Sequence, residues 1–448
     1  MLRSPLAQLH SSYPDLASQL QSVSKKLHAA ATESPTSRSL ASGAADPEHA
    51  GRHRRSLAKE HDDLLIQTRS LPGFEDFLQS MKANSLVRAA RNGPIVVINC
   101  HGAQCDALLV LPHQSDIIHL SLPNFTEKMG RRARSEIETT LRQRGLRERG
   151  VRPIGYESSR KDRIGSVLGV LWTSVVKPVL DYLGYTDNNP SDKLPHITWC
   201  PTGVMSFLPL HAAGDYNQPR ERLFHYAISS YTPTLTALLA STPSNLNHGS
   251  RVLAISQANT PGRAPLPGTS KELGYLKAHA QNAAKYSQLT NDQATTAAVL
   301  DAMEQHDWVH LACHAHQNID DPTKSGFFLH DGTLDLAAIN QRLFKNKGLA
   351  FLSACQTATG DENLPDEVVH LASGMLMAGY PSVIATMWSV MDNDAPIVTD
   401  EVYAQLMKDM KDGNGEAGKA LHYAMAALRD KVGEREFARW VPYIHIGS

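Results

Sequence analysis

Cysteine is scarce in this chain. Five Cys are scattered through 448 residues, too few and too dispersed for a disulfide-built scaffold. Reduced thiols in an intracellular, cytoplasmic compartment are therefore the expectation. Charge of one sign is also lacking. Lys plus Arg number 44 and Asp plus Glu 45, a net charge of −1. That balance argues against a general polyanion binder, and no nucleic-acid partner is expected. Long hydrophobic runs are missing. The most apolar stretch, 167–180, is interrupted by Lys177-Pro178 and reads as too short for a membrane span. Met1-Leu2-Arg3-Ser4-Pro5 leads into polar sequence with no apolar core of a signal peptide. Neither GxSxG nor HExxH occurs, so serine-hydrolase and zincin chemistry have no motif behind them. No calcium loop and no repeat period is evident, and no cofactor is expected.

What is present is an ordinary globular composition, 42% hydrophobic and 20% charged. Residues 1–92 read as N-terminal helices, with Leu9, Leu16, Leu20, Val23 and Leu27 at helical steps and a second helix from Leu57. Between them, 30–56 lacks apolar periodicity and reads as a flexible linker. Such helices would suit a regulatory protein partner. The texture changes after Gly93-Pro94. Candidate strands at 95–99, 107–111, 197–200, 226–229, 251–256, 308–312, 348–353, 382–386 and 443–446 are mostly β-branched apolar runs. Candidate helices lie at 125–144, 165–182, 233–240, 271–284, 296–304, 335–342, 368–377, 395–411 and 417–432. This alternation predicts an α/β fold with a mainly parallel sheet flanked by helices. The Arg-rich 131–152 segment reads as a solvated helix face, with an anionic partner as the alternative.

In such sheets chemistry gathers beyond the C-terminal strand ends. Two strands end on reactive side chains: Val309-His310-Leu311-Ala312-Cys313-His314-Ala315-His316 and Leu352-Ser353-Ala354-Cys355-Gln356-Thr357. A thiol and an imidazole at adjacent strand ends make a nucleophile–base pair, since thiolate is the attacking species and an imidazolium beside it lowers the thiol pKa. A lone Cys after an apolar strand is otherwise a buried small hydrophobe. Two other groupings resemble metal sites. Cys100, His101 and Cys105 lack a fourth ligand, and His310, Cys313, His314 and His316 lack a standard zinc spacing, so no metal is expected. Gly413-Asn414-Gly415-Glu416-Ala417-Gly418 matches GxGxxG by letter, but a helix precedes it where the motif needs a strand.

The chain resembles the CHAT domain, a caspase-like cysteine peptidase module related to separase. Leu208-Pro209-Leu210-His211-Ala212-Ala213, Leu266-Pro267-Gly268 with Glu272, the two strand-end motifs, and Ala378-Gly379-Tyr380-Pro381-Ser382-Val383-Ile384-Ala385-Thr386-Met387-Trp388 carry the resemblance in order. It implies a catalytic dyad of His314 and Cys355, with backbone N–H groups at Ala315 and Cys355 holding the oxyanion. Ala315 stands where the family usually has Gly, and Ala resists positive φ. The segment from Trp388 to Asp394 resembles the family's P1-lining loop, which makes Asp392 and Asp394 candidate substrate-binding carboxylates. Asp394 also suits a helix N-cap. Asp361, in the loop after the nucleophile, is a further candidate. The resemblance further implies an inactive caspase-like half at 93–190 before an active one at 191–448. The expected function is an intracellular cysteine endopeptidase cutting a protein partner, active or latent until engaged. An inactive CHAT signalling or scaffold module is the alternative.

Overall fold

The computed structural model describes residues 9–10, 12–32, 47–74, 77–79, 86–144, 163–186, 194–240, 249–281, 283–318, 321–342, 344–354, 371–411 and 416–447. The chain divides into two units, Met1–Ser85 and Leu86–Ser448.

In the first unit, helices Pro14–Thr32 and Pro47–Arg69 pack together. Leu9, Ala17, Leu20, Phe74 and Phe77 form its small core. The second helix begins inside the stretch expected to be a linker. Its first turns carry few apolar residues, so no periodicity announces them. Pro47 is well suited to a helix's first position, where its missing N–H would have had no helical partner.

The second unit is built on one sheet. Its strands are β1 Ile95–His101, β2 Gln104–Val110, β3 Ile117–Ser121, β4 His196–Pro201, β5 Ile228–Tyr231, β6 Arg251–Ser256, β7 Lys285–Thr290, β8 Trp308–Ala312, β12 Leu349–Ser353, β13 Ser382–Thr386 and β14 Tyr443–Gly447. Three short strands, β9 His314–His316, β10 Gly326–Phe328 and β11 Thr333–Asp335, form a separate small sheet between β8 and β12 in sequence. The large sheet runs β3-β2-β1-β4-β5-β14-β13-β12-β8-β6-β7. It is parallel except at β3–β2, β2–β1 and β14–β13. Strands β1–β3, within the expected inactive half, therefore extend the same sheet as an antiparallel meander, through the parallel β1–β4 pair.

The chain runs outward from β6 to β7 and returns to β8 on the other side of β6. Right-handed crossovers then put helix Gly268–Ala280 on one face and helix Thr296–Gln305 on the other. The sheet's switch point thus lies between β6 and β8, the place beyond whose strand ends sheets of this kind bind ligands. Helices Ala395–Lys411 and Ala417–Val432 continue the layer that Gly268–Ala280 begins.

Helix Arg163–Tyr182 is, by length and composition alone, long enough to cross a membrane, and half of its apolar window is buried inside this unit. It continues through Lys177-Pro178 because the turn Trp172–Val176 widens to a π turn, which accommodates the N–H that Pro178 lacks. Its Trp172 and Leu168 sit fully in the core. A membrane span is not needed to explain its apolar face.

A hydrogen-bonded chain crosses four adjacent strands. His196 Nε2 lies 2.6 Å from Ser230 Oγ, Ser230 Oγ 2.6 Å from His445 Nδ1, and His445 Nε2 2.8 Å from Ser382 Oγ. Gly418 lies over this chain: a Cβ there would stand 2.8 Å from Ser230 Oγ and 3.1 Å from His445 Nδ1. Gly418→Ala is expected to lower the unfolding free energy by about 1–3 kcal/mol despite Ala's better helix propensity. Urea unfolding checks this, and a stabilised variant would refute it.

Burial pushes His196 down to about 4 and His445 down to about 3, from an ordinary 6.5. Both are buried neutral. Because the folded pKa is depressed, their contribution to stability is full above about 6.5 and is lost as pH falls below it. The urea midpoint should therefore drop from about pH 6.5 toward pH 4. In a His445→Gln variant the slope of that drop should shrink by about 1.4 kcal/mol per pH unit. An unchanged slope would show that His445 is not buried neutral.

Candidate active site

Strands β8 and β12 are buried along their whole length. Their parallel register sets Ala350 beside Val309, Leu352 beside Leu311 and Ser353 beside Ala312. Two residues past Ala312 stands His314, and two residues past Ser353 the sequence reaches Cys355. Cys355 and Asp361 lie outside the described residues. The chain up to Ala354 is firmly held. The Thr386 hydroxyl, at the end of β13, donates to the Ala354 carbonyl at 2.8 Å. On the other side the Gln257 N–H donates to the Ala312 carbonyl at 2.9 Å.

His314 is 7% exposed. Its Nε2 lies 2.8 Å from the carbonyl of Ala264. A carbonyl only accepts, so Nε2 carries the proton and donates it there. The basic lone pair of the neutral ring is then on Nδ1. Ala264 belongs to the loop after β6, which is strapped at several points. The Gln257 side chain donates to the carbonyls of Asn291 and Ala294, and the Leu266 N–H donates to the Ala258 carbonyl. The imidazole and the loop that orients it thus come directly after β8 and β6, the pair at the switch point.

Ala315 pairs with Phe327 across β9 and β10. It is not among the non-glycine residues with positive φ. The backbone there suits Ala as well as Gly. His316 lies against Phe328, with ring centroids 4.8 Å apart, and the Arg263 guanidinium stacks on the same Phe328 ring at 3.9 Å. Burial first, then the Arg263 charge, lowers the His316 pKa.

The carboxylates separate into distinct roles. Asp392 is half-buried, and its Oδ2 accepts the Gly268 N–H at 2.7 Å. A Cβ at Gly268 would meet the Asp392 carbonyl at 2.1 Å, so this approach requires glycine. Asp394 has a side chain only 1% exposed and is held in a two-pronged pair by Arg439, Nε to Oδ2 at 2.8 Å and NH2 to Oδ1 at 2.5 Å. Its backbone carbonyl accepts from Ile397 and Val398 at the start of helix Ala395–Lys411. Each Asp394 oxygen accepts from Arg439, which gives this carboxylate a structural role beside the substrate-binding one expected of it. Glu272 and His310 are fully buried, with Oε2 to Nε2 at 3.3 Å, and the Thr399 hydroxyl donates to the same Glu272 oxygen at 3.0 Å. Among the described residues no three His, Cys, Asp or Glu stand close enough to hold a metal.

Ala264 and Thr386 were not singled out as site residues by sequence reasoning. Ala264 acts through its carbonyl, which no side chain advertises. Thr386 was visible only as part of the Ser382 to Trp388 motif.

The CHAT domain family model matches residues 166–448, more than half of the chain. The chain belongs to the CHAT family. The match begins inside helix Arg163–Tyr182, earlier than the 191 boundary expected for the active half. No curated protein matches the chain. Among solved structures, the Arg-specific cysteine proteinase gingipain R is similar at 13% identity and a TM-score of 0.43, over 62% of this chain and 68% of that one. A complex of Porphyromonas gingivalis RgpB pro- and mature domains gives 12% identity and 0.42, over 72% and 77%. The Saccharomyces cerevisiae separase–securin complex gives 10% identity and 0.49, over 90% of this CHAT protein but only 34% of that chain.

Loss of the Asp394–Arg439 pair should be costly. Arg439→Met is expected to remove about 3 kcal/mol of unfolding free energy, because it strands a buried carboxylate. Urea denaturation at neutral pH reads it. A loss under about 1 kcal/mol would mean the pair is worth no more than an exposed one.

Proposed function

We propose that this CHAT protein is a cysteine endopeptidase that cuts a protein partner inside the cell, with Cys355 as nucleophile and His314 as base. The observation that supports it is the donation of His314 Nε2 to the Ala264 carbonyl at 2.8 Å. It sets the ring in the tautomer whose Nδ1 can take a thiol proton. The register of β8 with β12 adds that Ala312 and Ser353, each two residues before one of the pair in sequence, lie side by side.

In the proposed reaction Nδ1 takes the Cys355 proton, and the thiolate attacks the scissile carbonyl. Backbone N–H groups at Ala315 and Cys355 hold the oxyanion. The imidazolium then protonates the leaving amine, and water releases the acyl group from sulfur by the reverse proton path. Substrate selection is assigned to Asp392 and to Asp361. Asp392 is the one with a described position, a half-buried residue on the loop after β13. A basic P1 side chain is the complement of that charge.

The test is labelling of the full chain with a panel of peptidyl acyloxymethyl ketones, mapped by mass spectrometry. An adduct at Cys355 is expected, absent in Cys355→Ala and formed about 100-fold more slowly in His314→Ala. Asp392→Asn keeps an oxygen for Gly268 and should weaken the preference for basic P1 probes. Undiminished labelling of His314→Ala would overturn the dyad. A folded protein with an inert Cys355 would instead favour a CHAT module that acts by binding partners.

A further inference from the structure

The β1–β2 hairpin holds a pair of thiols, remote in sequence from the proposed dyad. The hairpin turns on Gly102-Ala103, and Gly102 adopts the left-handed φ of +59° that a tight turn demands. His101 stands opposite Gln104, and one step back Cys100 stands directly opposite Cys105. In a two-residue hairpin the closing pair exchanges backbone hydrogen bonds. The next pair is therefore of the non-hydrogen-bonded kind, with Cα atoms about 4.5 Å apart. That spacing falls within the range a disulfide bridges, about 4.4–6.8 Å. Directly opposed residues share a face of the sheet, here the inner one: Cys105 is 0% exposed and Cys100 7%. The two thiols hydrogen-bond to each other, which draws the Cys100 pKa down from its ordinary value and drives that of Cys105 up.

The tip beside them is open and fixed. Residues 101–104 are exposed. The Gly102 N–H donates to Glu127 Oε2 at 2.9 Å, and the Glu127 N–H donates to the Gly102 carbonyl at 3.2 Å. A small reagent can thus approach Cys100 from the tip, while the backbone keeps Cys105 in place behind it.

We propose that Cys100 and Cys105 are a redox-active cross-strand dithiol, closed to an intramolecular disulfide by exchange with a low-molecular-weight disulfide such as oxidised glutathione. The Cys100 thiolate attacks one sulfur of oxidised glutathione, breaks its S–S bond and releases one glutathione thiolate. Cys105, deprotonated, then attacks the Cys100 sulfur of the mixed disulfide. The Cys100–Cys105 bond forms, and the second glutathione leaves. Two protons pass from the cysteines to the two glutathiones, and two electrons pass from the protein to the oxidant.

The full chain is equilibrated in glutathione buffers, acid-quenched and alkylated, and the peptide bearing both cysteines is weighed. Cys355→Ala serves as a parallel background so that its thiol does not compete. Closing an intramolecular bond consumes one oxidised glutathione and yields two reduced ones. At a fixed ratio of reduced to oxidised glutathione, a tenfold dilution of the buffer should therefore raise the disulfide-to-dithiol ratio about tenfold. A mixed disulfide on one cysteine would show no such dilution dependence. In Cys105→Ser, glutathione should accumulate on Cys100. Adducts that never resolve in the unmutated chain, or two alkylated cysteines in every buffer, would overturn the proposal. Should Cys105→Ser fail to fold, the dilution result alone decides.

Discussion

The pairing of β8 with β12 carries the geometry of the whole cleft. Both strands are buried on both faces, so a slip of one residue would drive Leu311 and Leu352 out of register with the core around them. Parallel strands that start together also end together, so Ala312 and Ser353 close β8 and β12 side by side. The motifs His314-Ala315 and Ala354-Cys355 take their meaning from that. The loop after β6 belongs to the same arrangement, because β6 lies beside β8 at the point where the chain reverses direction across the sheet. A carbonyl from that loop then fixes which nitrogen of His314 carries the proton. The chemistry proposed for the site rests on strand order, not on a dedicated third side chain.

The acids near the cleft illustrate how little of a buried charge's role can be inferred from its neighbourhood. Asp394 lies in the segment that resembles a substrate-lining loop, yet its carboxylate ties the start of one helix to Arg439, just ahead of β14. A buried charge is costly unless paired and hydrogen-bonded, and Arg439 meets that need for Asp394. Glu272 is similar: His310 and the Thr399 hydroxyl surround it. Asp392 differs in meeting a backbone N–H, that of Gly268.

Much of the sheet was legible because its central strands are continuous apolar runs. Arg251–Ser256, Trp308–Ala312 and Ser382–Thr386 appear where their β-branched and small apolar residues predict, and so do helices Ala395–Lys411 and Ala417–Val432. Strands β3 and β7 went unseen. They lie at the two edges, and their side chains are largely exposed or half-buried, so neither shows an apolar run. Of helix Pro47–Arg69 only the part from Leu57 was legible, because the residues before it carry few apolar side chains. The union of β1–β3 with the rest of the sheet was not legible either, because register between distant strands leaves no mark in a local window. At the site, side chains such as His314 stood out, whereas the carbonyl of Ala264 is chemically anonymous in a sequence.

β14 is the splice of the sheet: β3 to β5 lie on one side of it and β13 to β7 on the other, and β5 meets β13 only through it. It is also translated after all of them. Without β14, strands β5 and β13 would each present an unpaired edge to the gap between them. Neither edge can close until residues 443–447 arrive. Losing that one strand would thus open two edges at once, each a template on which another chain could pair.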